Sequence, residues 1–251
     1  MAGWRSAVLT LFPHIFPGPL ASSVVGRGLR EGVWHLDICD IKAHSPAGHH
    51  GVDDKPYGGG AGMVMRADVI DRCVSSVYGT GDTRPLIYMS ARGKPLTQAS
   101  MGRYAAGDGV VILCGHYEGV DQRVIEHWHM EEVCIGDYVL SGGEIAAMVL
   151  LDGCVRLLSG VVGDKRSVQE ESFAHGLLGR LEYPHYTTPP SWRGYDVPSV
   201  LLSGDHGRIA RWRHDKVQEV TVQRRPEMDI DGVLEGAGAG KKDLQKKEKS
   251  L

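Results

Sequence analysis

Ile135-Gly136-Asp137-Tyr138-Val139-Leu140-Ser141-Gly142-Gly143-Glu144 stands between a short apolar run, Glu132–Ile135, and a longer run with helical spacing, Glu144–Leu158. An apolar stretch too short for a helix, then a glycine-bearing loop, then a 3.6-residue period predicts a strand, a turn and a helix in that order. The unit repeats upstream. Short apolar or β-branched runs at Ala7–Phe12, Leu36–Ile41, Pro85–Ser90 and Val110–Cys114 read as further buried parallel strands. Helical spacing at Ala67–Tyr78, Thr97–Ala106 and Val120–Trp128 falls between them, so an α/β fold with a parallel sheet is predicted. In open sheets of this class, ligands bind outside the carboxyl ends of strands. Three strands run into polar or glycine-bearing loops there, Ser90–Gly93, Gly115–Gly119 and Gly136–Gly143, which form the expected site.

Two nucleotide-binding fingerprints can be excluded. Tyr57-Gly-Gly-Gly-Ala-Gly-Met63 has no GxGxxG register, and Gly240-Lys241 lacks both the earlier glycine, where Glu235 stands, and the following Ser or Thr. The loop at 136–143 offers closely spaced backbone amides and carbonyls, and Gly142-Gly143 lets the chain approach a planar ligand such as adenine. A tight turn that only opens the next helix reads equally well from composition.

Composition sets the outer bounds. With 251 residues, 42% hydrophobic and 24% charged, the chain is of soluble globular type and long enough for one large domain or a large and a small one. Its 34 glycines cluster between apolar runs rather than in a repeat, which favours sites built from backbone. Cys39, Cys73, Cys114, Cys134 and Cys154 are widely separated, odd in number and form no CxxC pair, so neither a disulfide framework nor a zinc motif is expected. His49-His50 has no third ligand spaced nearby and reads as a solvated loop. Met1 to Phe16 lacks a signal-peptide pattern and no apolar run is long enough to span a bilayer; a cytoplasmic protein without a membrane partner is expected. The net charge of −3 gives no whole-molecule attraction to nucleic acid, so any RNA affinity must be local.

A boundary is expected after Leu158. Residues 1–160 form the α/β domain, 161–175 a linker, 176–232 a small, mainly helical domain, and 233–251 a tail whose composition does not support a core. Tyr183–Pro198 reads as irregular, and Gly204–Arg213 and Asp215–Arg225 as two short helices carrying Arg208, Arg211, Arg213, Lys216, Arg224 and Arg225.

Beyond this reading, the chain resembles the bacterial tRNA (guanine-37-N1) methyltransferases, members of the knotted SPOUT methyltransferases. The resemblance is carried by Leu11-Phe-Pro13, the stretch from Val52 to Met63, Cys114-Gly-His-Tyr-Glu-Gly-Val-Asp-Gln-Arg-Val-Ile-Glu126, Ile135–Glu144, Glu171-Ser-Phe173, Val200-Leu-Leu-Ser-Gly204 and Arg224-Arg-Pro-Glu227. It implies a deep trefoil knot toward the C-terminal side of the first domain, an obligate homodimer with active sites at the subunit interface, and a helical second domain that grips tRNA. The implied activity is methylation of N1 of guanosine 37, beside the anticodon. The methyl donor is S-adenosylmethionine, and the family leaves room for Mg2+.

The resemblance places the donor site on Tyr88, Met89, Ser90, Gly115, Ile135, Gly136, Asp137, Tyr138, Val139 and Leu140, with Gly142 and Gly143 beside it. Ala91 and Ala146 stand where relatives often carry proline. Tyr117 and Glu118 are expected to face the target base and Asp53 the tRNA near it. Without the family, Tyr117 reads as a half-buried structural aromatic and Asp53-Asp54 as a capping pair.

N1 of guanine is protonated near neutral pH, so transfer from a sulfonium calls for a base at N1 and a cation at O6. Arg156 matches the family's arginine, and Glu171 stands where the family usually carries an aspartate, with Glu170 adjacent. Read alone, Arg156 pairs with Asp152 at i,i+4 and Glu170-Glu171 is a solvated face. An RNA-binding module that has lost its base, and a SPOUT enzyme acting on a ribose hydroxyl, are the competing functions.

Overall fold

Val110-Val111-Ile112-Leu113-Cys114 explains the architecture: every residue is buried, which only a strand covered on both faces allows. The computed structural model describes residues 3–46, 51–163 and 170–228. Its strands, in chain order, are Trp4–Thr10 (β1), Trp34–Asp40 (β2), Asp53–Asp54 (β3), Val64–Met65 (β4), Leu86–Pro95 (β5), Gly109–Cys114 (β6), Glu131–Cys134 (β7), Ser191–Trp192 (β8) and Tyr195–Asp196 (β9). The helices are Ser23–Arg30 (α1), Ala67–Val77 (α2), Gln98–Ala106 (α3), Gln122–His127 (α4), Glu144–Val155 (α5) and His206–Arg224 (α6). The described residues belong to two compact units, Met1–Gly163 and Asp164–Leu251.

In the first unit, five strands pair in the order β2-β1-β6-β5-β7, all parallel. Alternation along β6 sends Val110, Ile112 and Cys114 into one core with Ala147, Leu150, Leu151 and Cys154 of α5. Val111 and Leu113 enter the other core, with Val69, Ile70, Cys73 and Val74 of α2 and Val124 and Ile125 of α4. Each fully buried Leu or Ile contributes roughly 1.5–3 kcal/mol, so the two faces together hold the sheet between its helices. The five expected strands and four expected helices of this unit are present, with ends shifted by a few residues. Thr97 is a cap rather than a helical residue, its hydroxyl accepting from the Ser100 N–H at 3.2 Å. Helix α1 was not anticipated; Gly26 and Gly28 dilute its helical signal, and both are buried.

Two features aim the strand ends. The pairing of β5 with β7 slips between Met89 and Lys94, both of which oppose Val133, so Ser90 to Gly93 loop out of the sheet. Helix α5 starts without a side-chain cap; instead the Gly143 N–H donates to the Gly115 carbonyl at 2.8 Å, fastening the helix to the end of β6.

In the second unit the expectation of two short helices is corrected: residues 206–224 form one helix, α6. The polar His214-Asp215 dip resembled a break, but polar residues do not interrupt a helix as Pro or a left-handed Gly does. Asp205 caps it, accepting from the Arg208 N–H at 3.0 Å. The stretch expected to be irregular contains the hairpin β8–β9, turned by Arg193 and Gly194 at φ 52° and 83°, the mirror-image geometry that suits hairpin twist. His49-His50, part of the expected linker (164–169) and the expected tail (233–251) lie outside the described residues. Among the described residues no helix is long and apolar enough to cross a membrane.

Candidate functional site

The three loops selected by the strand-end rule converge. The bulge after Met89, the loop after Cys114 and the loop after Cys134 line one cleft of about 390 Å³. Of the expected donor-site residues, Tyr88, Met89, Ser90, Gly115, Ile135, Gly136, Tyr138, Val139, Leu140, Gly142 and Gly143 line it; Asp137 lies exposed on the same loop and does not.

Close backbone contact explains the glycines. A Cβ on Gly143 would lie 2.8 Å from the Cys114 Cα and 2.9 Å from the Gly115 N. One on Gly115 would lie 2.7 Å from the Tyr88 ring, which burial holds against the strand end and whose hydroxyl pKa that burial raises. An isolated antiparallel bridge between His116 and Gly142 ties the second loop to the third. Within the third loop, the Tyr138 N–H donates to the Gly136 carbonyl at 2.8 Å and the Cys134 thiol to the same carbonyl at 2.9 Å. The outcome is a narrow slot with apolar walls from Met89, Val133, Ile135, Leu140 and Ala146 and a rim of main-chain polar groups. Such a slot accepts a flat heteroaromatic ring with hydrogen-bonding edges.

Tyr117 and Glu118 stand at the mouth. Tyr117 is half exposed and adopts φ 58°, a left-handed conformation that costs a bulky residue about 1–3 kcal/mol. Burial, and secondarily the charge of Asp53, raises its hydroxyl pKa. Asp53, on β3, is therefore within electrostatic reach of the mouth although it does not line the cleft. The Glu118 N–H donates to the Met63 carbonyl at 2.9 Å, and the Met65 N–H to the Gly119 carbonyl at 2.9 Å, so the glycine-rich segment before β4 packs against this loop.

Some residues of the site escaped the sequence reading. Thr10 donates to Glu144 at 2.8 Å in a buried pair beneath the start of α5. The Nδ1 of His116 is buried without a hydrogen-bond partner in the described structure, beside Gly142 and the Glu144 carboxylate. Arg92 reaches from the bulge to Gln122 at 3.2 Å and Glu132 at 3.4 Å. His116 was visible as part of the quoted motif; Thr10 and Glu144 are separated by 134 positions, and no local pattern joins them.

Arg156 does not line this cleft. It is the C-cap of α5, whose N-cap, Gly143, does, and the helical rise of 1.5 Å per residue sets the two about 20 Å apart. Its amide donates to the Asp152 carbonyl at 3.1 Å. Glu171 belongs to the second unit, in a turn where its carbonyl accepts from the Ala174 N–H at 3.1 Å.

Comparison with known proteins agrees with this geometry. Residues 4–230 match the family model described as tRNA (Guanine-1)-methyltransferase TrmD. Over 225 residues, the chain is 53% identical to a tRNA (guanine-N(1)-)-methyltransferase of Gluconobacter oxydans (strain 621H), covering 90% of this chain and 94% of that protein. It is 54% identical over 225 residues to the protein of the same name from Rhodopseudomonas palustris (strain TIE-1), covering 90% and 89%. Over 239 residues it is 52% identical to that of Rhizobium johnstonii, covering 95% and 94%. With strand-end loops that close on one backbone-lined slot and a family match spanning both units, this chain belongs to the tRNA (guanine-1)-methyltransferase family.

Proposed function

We propose that the protein transfers a methyl group from S-adenosylmethionine to N1 of guanosine 37 of tRNA, acting as a cytoplasmic homodimer with a trefoil knot formed around the cleft loops. The observation that carries this reading is the slot between residues 88–91, 115–118 and 135–143. Its fit to the donor rests on the cradle at Gly115 and Gly143, where an added Cβ would collide with backbone or the Tyr88 ring. Residues Ile135 to Leu140 would hold the adenine through main-chain amides and carbonyls, with Met89 and Ala146 as apolar walls. When bound, the donor supplies an electrophilic methyl on a sulfonium.

The remaining work falls to side chains. Tyr117, Glu118 and Asp53 stand at the mouth, where an extruded base enters. Glu171, a carboxylate in place of the more usual aspartate, takes the N1 proton, and Arg156 stabilises the negative charge that grows on O6. The helical domain, with Arg208, Arg211 and Arg213 on α6, grips the tRNA backbone. Among the described residues the three-residue cluster able to ligate a metal is Cys39, His44 and Cys73, a sulfur-rich set that does not suit Mg2+.

The homodimer reading has two supports. Arg156 stands about 15 Å along α5 beyond Ala146, which lines its own chain's cleft, and this supports an arginine from a second copy completing the site. Helix α5 is mostly apolar, yet Ile145 and Val149 are exposed on the face that also carries Asp152, which suits a helix that a second copy covers.

Mixed dimers test this reading. Arg156→Ala and Glu171→Gln homodimers should each lose at least about 100-fold in transfer rate while still binding the donor. Co-assembly of the Arg156→Ala, Glu171→Gln double variant with a Gly143→Ala chain should restore up to half the wild-type activity, since one intact composite site is rebuilt. No recovery would mean that at least one of Arg156 and Glu171 serves the cleft of its own chain.

A further inference from the structure

Outside the residues that line the cleft, three side chains from three separate elements meet at one point. Cys39 lies on β2, the edge strand of the sheet; His44 closes the 3-10 turn Ile41–His44 that follows it; Cys73 lies on α2 and is fully buried. The Cys39 sulfur is 3.2 Å from that of Cys73 and 3.3 Å from Nε2 of His44, and all three donor atoms fall within 4.8 Å of one another. The proposed methyl transfer uses none of them.

We propose that Cys39, His44 and Cys73 form a zinc site that staples the edge strand and the turn after it to helix α2. Two thiolates and an imidazole are the ligand set that selects a borderline-soft cation of tetrahedral habit. Zn–S bonds of about 2.3 Å at a tetrahedral angle hold two sulfurs roughly 3.8 Å apart. The observed 3.2 Å therefore needs to widen by about half an ångström, within reach of small χ1 rotations, and the sulfur–nitrogen separation is already close to the required value.

Cys73 reaches the point from the core between Val69, Ile70 and Val74, so the inner side is dry, whereas Cys39 and His44 are partly exposed and leave a fourth position open to water. Ser76, whose hydroxyl donates to the Cys73 carbonyl at 2.7 Å, stands 3.8 Å from the Cys39 sulfur as an outer-sphere neighbour. Binding displaces thiol protons into the buffer, leaving both sulfurs as thiolates. Sequence spacing hid the site, because its ligands are separated by 5 and 34 positions and match no finger pattern.

The test uses the full chain, stripped with a chelator and kept reduced. Zinc alone is titrated calorimetrically, and cobalt(II) is titrated in parallel with thiolate-to-metal charge-transfer absorption as the readout. One site per chain is expected, with proton release, a saturable thiolate–cobalt band, and a melting temperature that rises with free zinc. Cys39→Ser and His44→Gln should each weaken binding by at least about 100-fold, more than the loss of an outer-sphere partner usually costs. His44 is partly exposed, so His44→Gln remains a folded control if Cys39→Ser does not accumulate. Three results would overturn the proposal: cobalt binding without a thiolate band, a band that persists in Cys39→Ser, or recovery of the two cysteines as a disulfide from protein purified without oxygen.

Discussion

Gly143→Ala puts the link between the loops and the cleft under direct strain. The added Cβ would stand 2.8 Å from the Cys114 Cα and 2.9 Å from the Gly115 N, both backbone atoms that no rotamer change can move. Ordinary contact begins near 3.4 Å, so the start of α5 and the end of β6 must part by about 0.6 Å. The Gly143 dihedrals, φ −78° and ψ −8°, suit alanine, which leaves overpacking as the whole effect. Overpacking of this kind costs typically 1–3 kcal/mol, and a chain of this size loses roughly 2–4 °C of Tm per kcal/mol. Parting the two elements also widens the slot and stretches the 2.8 Å bond from the Gly143 amide to the Gly115 carbonyl. A tenfold change in Kd corresponds to about 1.4 kcal/mol, so donor binding should weaken by about 10- to 100-fold in calorimetric titration with S-adenosylmethionine. Gly102→Ala is the control: no atom lies within 4 Å of its Cβ position in α3, and the substitution should stabilise the fold by up to about 1 kcal/mol without touching donor affinity. A Gly143→Ala protein with unchanged Tm and donor Kd would refute the reasoning from close backbone approach.

Thr10→Val keeps the side-chain shape but removes the hydroxyl that donates to buried Glu144 at 2.8 Å and accepts from the Phe12 amide at 2.9 Å. Loss of a bond to a buried carboxylate should cost about 1.5–3 kcal/mol in urea unfolding, and an unchanged midpoint would contradict the pairing. Asp82 and Arg84 form a nearly buried pair at 2.6 Å, and the guanidinium holds the Asp82 carboxyl below its usual range. The stabilisation is thus complete above the unfolded pKa of about 3.9 and is lost as pH falls through the folded value. Asp82→Asn should cost about 2 kcal/mol at pH 7, with the difference from wild type shrinking below about pH 4; a difference constant down to pH 3 would count against it. Charges placed at Ile145 and Val149, which are 60% and 43% exposed, should leave the chain folded by circular dichroism but monomeric by light scattering. A charged double variant that remained dimeric would remove the apolar face of α5 from the interface.

The parallel sheet was legible because its signal is local. Val110–Cys114 is a continuous apolar run, and the glycine-bearing loops begin where such runs stop. The three loops converge on one cleft for the same reason, because the strand-end rule needs only the order of strand, loop and helix; the individual donor-site residues on them came from the family resemblance, and eleven line the cleft. Features made by long-range contact were not legible. Thr10 meets Glu144, and Cys39 meets Cys73, only after β1 and β2 have paired and α2 and α5 have packed on opposite faces. The single helix α6 was divided in expectation because its amphipathic stripe is weak: of its residues only Val217 and Thr221 are buried, so the apolar period faded around His214-Asp215. The span along α5 between Gly143 at the cleft and Arg156 could be read only with the helix in place.

The most direct test of the central claim is to incubate the protein with methyl-labelled S-adenosylmethionine and an unmodified tRNA transcript and to locate the label by nuclease digestion and mass spectrometry. The expected result is one methyl group on N1 of the guanosine that follows the anticodon, and none when that guanosine is replaced by adenosine. Label on a ribose hydroxyl, label at another base, or donor binding with no transfer would contradict it.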